Sequence, residues 1–364
     1  MSVPPLQQPA PGLARVRLAW GDKLALKFGK PLDLRQLNRD AAWRQGIAAD
    51  QARLSARFAA RSALRAACPL CGEGRALEVL SVHSVGYMEC AGCTHIYSRL
   101  APAQDAVQAL YDAPCGTAAA SSQSRIYLDE SLFLRRTALI GRPKVDFVTS
   151  VVGSARGEWL DVGCGTGEVL AAARDAGWLA RGIEADGQFV EFAQAHGLAV
   201  ERAFVTAHSS ASLMREARIV SLFNVVEHVE DPVALLRAIA AGVRPGTWLV
   251  VEVPRHPSVS SLSNLLFPQM SARHICPPDH LHVFTDASLA GLLRQAGVQP
   301  RALWLFGQDY QDLVMTGLSS QLGDRPAPAF VDAILDAAPA LQQAIDEAGL
   351  SDTVLMVGRF GDGS

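Results

Sequence analysis

No stretch of this 364-residue chain approaches the roughly 20 uninterrupted apolar residues that a membrane-spanning helix needs. The opening residues, MSVPPLQQPAPGLARVR, lack the basic-then-apolar order of a secretory leader, so the expectation is a cytoplasmic protein. Glutamate is absent from residues 1–67, where 12 Lys and Arg face 4 Asp, a balance of +8 against −11 for the remainder. Such an arm either attracts an anionic partner, such as a membrane surface or an anionic carrier, or docks on its own acidic body. An even cysteine count is also missing. Seven cysteines, four of them clustered, in a chain with no leader favour metal or free thiols over a disulfide framework. Apolar residues are not scarce: at 49% hydrophobic and 19% charged, the chain buries a sizeable core and is not disordered.

The pattern along the chain divides it into four parts. Residues 1–67 form a basic arm: a Pro- and Gln-rich start, a β-hairpin from the alternation of Val16, Leu18, Trp20 and Leu24, Leu26, Phe28 about Gly21-Asp22, then a helix. In that helix Trp43, Ile47, Leu54 and Phe58 line one face and Arg53, Arg57, Arg61 and Arg65 another. Residues 68–112 carry the cysteines, and residues 113–150 connect, with the small and polar run APCGTAAASSQS as a loop or lid. From 151 to 364, apolar strands alternate with amphipathic helices. The strands are EWLDV, ARGIEA, a weak LAVERA, RIVSLFNVV, TWLVVEVP, RALWLF and TVLMVGRF. That alternation specifies an α/β fold with a mostly parallel sheet covered on both faces.

The first strand of this domain runs into LDVGCGTG, where Asp161, Gly163, Gly165 and Gly167 let the backbone turn tightly against a ligand. The dinucleotide fingerprint would need glycine at 168, and the chain has Glu168 there, which repels a pyrophosphate at a helix N-terminus. A cationic ligand without phosphate suits this loop, and Glu184, ending the second strand, suits ribose hydroxyls.

Together LDVGCGTG, GIEAD, FNVVEHVEDP, VRPGTWLVVEVP and DHLHVFTDASLAGLLRQAGV resemble a class I S-adenosylmethionine-dependent methyltransferase over roughly residues 145–306. The resemblance implies a Rossmann-like sheet with an antiparallel last strand and S-adenosylmethionine as cofactor. It implies that the glycine loop and Asp161 hold the methionine part, that Glu184 binds the ribose, and that Asn224 lies beside the reacting centre. The acidic residue often found after the third strand, near the adenine, has no counterpart in ERAFVTAHSS.

Cys68-x2-Cys71-x18-Cys90-x2-Cys93 offers four thiolates at the spacing of a structural zinc ribbon. His83 and His95 are nearby but have no ligand role in a full thiolate set, and Cys115, Cys164 and Cys276 remain as free thiols. A four-cysteine ribbon ahead of this domain resembles sugar C-methyltransferases and bacterial methyltransferases of surface glycans and secondary metabolites. Zinc-containing ribosomal RNA methyltransferases also carry one, but this ribbon has few basic residues and a single tyrosine pair, Tyr87 and Tyr97.

In FNVVEHVEDP, Glu227 and His228 follow the fourth strand, where the cofactor's methyl should point. Three readings stay open. His228 is a general base suited to neutral pH, with Glu227 orienting it; or the pair binds a divalent metal; or His228 only packs at the strand end. In sugar C-methyltransferases the matching pair is proposed for acid-base chemistry. In ubiquinone-pathway O-methyltransferases, which read E-V-V-E-H here, two glutamates and the histidine can hold a metal. Asn224 replaces the first of those glutamates in this chain. His280, in HICPPDHLHVF, is a second candidate base. His280 and His282 alternate, so at most one faces the pocket.

The expectation is thus O-methylation of a small-molecule or sugar acceptor. The alternatives are C-methylation of a nucleotide-linked keto-sugar, or a non-catalytic scaffold binding a partner through ribbon and arm.

Overall fold

The computed structural model describes residues 11–30, 36, 41–103, 126–204, 214–321 and 328–361. Most of the Pro- and Gln-rich start, the run APCGTAAASSQS with its proposed lid and Cys115, and the end of ERAFVTAHSS lie outside the described residues.

Fourteen strands are present among the described residues. The first six are β1 (Ala25–Phe28), β2 (Ser62–Leu64), β3 (Ala76–Val82), β4 (Val85–Cys90), β5 (Ile96–Ser98) and β6 (Leu100–Pro102). Then come β7 (Glu158–Val162), β8 (Leu179–Glu184), β9 (Ala199–Arg202), β10 (Ala217–Phe223) and β11 (Trp248–Pro254). The last are β12 (His282–Val283), β13 (Val298–Phe306) and β14 (Thr353–Phe360).

The main sheet runs β1-β13-β14-β11-β10-β7-β8-β9. Its pairs are parallel except those of β14, which is antiparallel to both β11 and β13. Both faces are buried: on β7, Trp159 enters one core cluster and its neighbour Leu160 the other. Two-sided burial is why these strands read as apolar runs rather than alternations. β3, β4 and β5 carry the cysteine knuckles in a second sheet, with β12 at one edge. No helix among the described residues is long and apolar enough to cross a membrane.

The expected N-terminal hairpin is not formed. Residues Pro11–Trp20 are a helix, and only the second half is a strand, β1, which pairs parallel to β13 at the sheet edge. Leu13, Val16 and Trp20 share a helical face that packs into the core, while Leu18, which alternation would bury, is 89% exposed. Both periods fit these few residues, and docking decided between them. Trp20 donates its indole N–H to Asp286 at 3.2 Å, and Gly21 (φ +88°) ends the helix.

The next helix, Ala41–Ala59, buries Ile47 and Leu54 as expected, but it stops before Arg61 and Arg65, so the arginine stripe is broken. The segment docks on the body. Arg44 is buried against Asp312 at 2.9 Å, and the Ser55 hydroxyl donates to the Pro277 carbonyl at 2.8 Å.

Helices Glu130–Arg136 and Arg142–Val152 are joined by a wide π turn at Thr137–Gly141. A Cβ on Gly141 would stand 2.5 Å from the Glu168 carbonyl oxygen, so the glycine allows the close crossing. Arg136 and Lys144 flank that turn and both line the cavity described next.

Candidate active site

At the carboxyl ends of β7, β8, β10 and β11 opens a cavity of about 970 Å³. One end is built by the glycine loop. Gly163 has φ +68°, and a Cβ there would stand 2.6 Å from Val225 Cγ2. At Gly167 (φ +90°) a Cβ would meet Leu198 Cδ1 at 2.4 Å. The positive φ and the close neighbours together favour glycine at both positions.

The carboxylates at this end are well partnered. Asp161 accepts the Ser221 hydroxyl at 2.6 Å, and Ser221 in turn accepts the Trp159 indole N–H at 2.8 Å. Burial pushes Asp161 up to about 7, against the pull of Ser221 and Lys144. Glu184 accepts the backbone N–H groups of Gly165 (2.8 Å), Ala185 (2.7 Å) and Asp186 (2.8 Å), so it splints the loop. Burial still raises its pKa above the usual value. Glu168 is held by Arg136 at 2.5 Å; burial raises its pKa, but the guanidinium overrides this and keeps it below the usual range.

At the tip of β10, Asn224 adopts φ +55°, a conformation that asparagine tolerates better than most residues. Its Nδ2 donates to Glu252 at 3.1 Å. Glu252 also holds Lys144, with Nζ 2.9 and 2.8 Å from its two oxygens.

The other end differs. His228 Nδ1 lies 2.7 Å from the Asp279 carbonyl and His280 Nδ1 2.6 Å from the His274 carbonyl. A carbonyl only accepts, so both imidazoles carry their proton on Nδ1 and keep a lone pair on Nε2. The rings meet edge-on, centroids 4.9 Å apart. Glu227 is completely buried, and neither carboxylate oxygen has a hydrogen-bond partner among the described residues. Its Oε1 is 4.0 Å from His228 Nε2. Burial, then nearby Glu252, pushes Glu227 well above the usual carboxylate range, while burial lowers both imidazoles. Burial thus disfavours the charged form of all three groups, the acid and the two imidazoles alike. One ligand atom from each lies within 4.8 Å of the others.

The expected residues are thus brought to one cavity: Asp161, Gly163, Gly165, Glu184, Asn224, His228 and His280 line it. Gly167 and Glu227 stand behind the wall. His282 points away, 2.9 Å from His95, as the alternation required. Lys144, Glu252, Arg136 and Arg273 escaped the reading of the sequence. Two of them had a signal: Lys144 interrupts the apolar face of its helix, and Glu252 interrupts the apolar strand TWLVVEVP.

The four cysteine sulfurs also converge, with one from each residue within 4.8 Å of the others. Cys68 and Cys93 are 3.7 Å apart, and Cys71 and Cys90 3.5 Å. Disulfide sulfurs would be about 2.05 Å apart, whereas four sulfurs about 2.3 Å from one zinc ion define a tetrahedron with edges of roughly 3.8 Å. The set fits zinc.

A methyltransferase domain family matches residues 133–303. The ubiquinone biosynthesis O-methyltransferase of Bordetella avium is 30% identical over 168 residues, 44% of this chain and 70% of that protein. Its counterpart from Pseudomonas savastanoi pv. phaseolicola is 34% identical over 168 residues, 43% of this chain and 70% of that one. Among solved structures, a SAM-dependent methyltransferase from Archaeoglobus fulgidus aligns with a TM-score of 0.43 and 16% identity, covering 64% of this chain and all of that one. With its glycine loop, the matching methyltransferase domain and the two O-methyltransferase relatives, the chain belongs to the S-adenosylmethionine-dependent methyltransferases.

Proposed function

We propose that the protein methylates a hydroxyl of a small-molecule or sugar acceptor, with His228 as the base. The observation that carries this is the 2.7 Å contact of His228 Nδ1 with the Asp279 carbonyl, which assigns the proton to Nδ1 and leaves Nε2 as the basic nitrogen of a side chain that lines the cavity. Bound S-adenosylmethionine supplies an electrophilic methyl group. The glycine loop and Asp161 would hold its methionine part, Glu184 its ribose, and Asn224 the edge of the reacting centre. The carboxylate-rich loop end of the cavity, Asp161, Glu168 and Glu184, suits a cationic ligand without phosphate. The chain's own task is then to align the acceptor oxygen and take its proton at Nε2, worth about 10²–10⁴-fold for the proton alone. His280, with the same free nitrogen, is the second candidate for that role. The O-methyltransferase relatives favour oxygen over carbon as the methyl acceptor.

One observation favours a second reading. Glu227 is buried with no hydrogen-bond partner among the described residues, and its oxygen converges with two imidazole nitrogens. Such a set binds a divalent cation, which would compensate the carboxylate's burial. We propose in addition that Cys68, Cys71, Cys90 and Cys93 hold a structural zinc ion.

The test is S-adenosylhomocysteine release with a panel of catechols, sugars and nucleotide-linked sugars, in wild type and His228→Ala, with and without chelator and added magnesium. Base catalysis predicts loss of turnover in the variant and indifference to chelator at the cavity. Normal turnover by His228→Ala ends that assignment.

A further inference from the structure

The cysteine-bearing lobe and the acceptor-side imidazoles are joined more tightly than their distance along the chain implies. Two residues beyond His280 begins β12, an edge strand of the lobe's sheet. It pairs antiparallel with β5, His282 opposite Tyr97 and Val283 opposite Ile96. The Leu281 carbonyl accepts the Ser98 N–H at 2.8 Å. On the other side the same segment hangs from the His228 turn, with the N–H groups of Leu281 and His282 2.8 and 3.2 Å from the Glu227 carbonyl. Residues 280–283 are thus clamped between lobe and turn.

Two lobe side chains reach across this clamp. Tyr87, fully buried, donates its hydroxyl to the His280 carbonyl at 2.6 Å. His95, two residues beyond Cys93, meets His282 Nδ1 with its Nε2 at 2.9 Å. His282 Nε2 lies 2.9 Å from the Val229 carbonyl, so it carries the proton; Nδ1 accepts and His95 Nε2 donates. Val229 adjoins His228. The knuckle itself sets His95, because the His95 carbonyl accepts the Cys90 N–H at 2.9 Å. Apolar packing is already provided here, where Val283 and Ile275 cluster with Val82, Val85 and Ile96. Burying two imidazoles and a phenol in that interface costs stability unless each bond is made with directional precision.

We infer that the four-cysteine lobe positions the acceptor-side imidazoles, with Tyr87 and His95 as positioning residues. Tyr87 acts through the His280 carbonyl, and His95 acts through His282 and the Val229 carbonyl beside His228. The role of those imidazoles in turnover rests on the function proposed above; the linkage does not.

Full-length, metal-replete protein with ¹³C-labelled histidine tests this by NMR, the ring signals of His228 and His280 being assigned from His228→Gln and His280→Gln. In Tyr87→Phe both signals should shift while that of His196, hydrogen-bonded on its own helix to Phe192, stays in place. On any acceptor found, turnover should fall about 10–10²-fold with the KM for S-adenosylmethionine unchanged, the scale of a small misplacement of a reacting group. His95→Leu should move the His228 signal, and His95→Gln, which keeps a donor, should restore it. A lobe that only packs predicts the reverse order, with leucine tolerated best, and unshifted signals in folded Tyr87→Phe overturn the inference. If Tyr87→Phe does not fold, the two His95 variants decide. Should His228→Ala turn over normally while these signals still shift, the base assignment fails and the positioning stands.

Discussion

The two ends of the cavity handle burial in opposite ways. At the glycine-loop end every carboxylate has partners: Glu184 takes three backbone N–H groups, Asp161 a hydroxyl, Glu168 a guanidinium and Glu252 an ammonium. At the acceptor end, Glu227 has none among the described residues, and two imidazole nitrogens keep their lone pairs. Partnered groups hold a shape before a ligand arrives. Unpartnered ones cost stability in the folded chain, a pattern expected where a proton or a cation must be received. The comparison makes a general claim: substitutions at the first end should show in stability and affinity, and those at the second in turnover.

The largest effect should come from Lys144→Met. It strands the Glu252 carboxylate without its charge partner, and breaking such a buried pair costs about 3–5 kcal/mol. Denaturant melts should show this loss; an unchanged midpoint would mean that the pair is not part of the scaffold. His228→Ala should lower turnover by about 10²-fold or more while leaving cofactor affinity near wild type in calorimetry. Its pH dependence has a definite sign. Burial lowers the His228 pKa, so the neutral base persists to lower pH, and the acid limb of the rate profile should lie below the ordinary 6.5. A limb at or above that value breaks the assignment.

Glu184→Ala comes next, with S-adenosylmethionine binding weaker by about 1.5–3 kcal/mol, the scale of charge-assisted hydrogen bonds. Because the Gly165 N–H also loses its acceptor, proteolysis of the loop should quicken in the same variant. Equal affinity in the two proteins would place the ribose contact elsewhere. Glu227→Gln is the smallest and the sharpest. Because burial already disfavours the charged carboxylate, the base reading expects turnover within a few-fold of wild type and no loss of stability. Metal-dependent activity abolished by this change would instead establish the cation reading.

Much of the fold was legible because burial on both faces forces a strand to be apolar throughout, as in RIVSLFNVV and TWLVVEVP, and because glycine at 163 and 167 answers a local steric demand. The cysteine spacing was legible for the same local reason, since two tight turns each present two sulfurs. The N-terminal hairpin failed where Leu13, Val16, Leu18 and Trp20 satisfy both periods, and the choice was made by a face of the body that lies hundreds of residues away, at Asp286.

Local chemistry thus determined which residues could be functional: a turn, a knuckle, a Glu-His pair and an alternating His280 and His282 are all settled within a few residues. Their partners were not. The His228 lone pair is defined by a carbonyl at Asp279, the Glu184 carboxylate by the N–H of Gly165, and the place of His280 by a phenol from the cysteine lobe at Tyr87. Each of these bonds joins segments separated by 19 to 193 positions. Protonation and orientation depend on what is packed against a group, and that packing exists only once the whole sheet and its lobe have closed around the cavity.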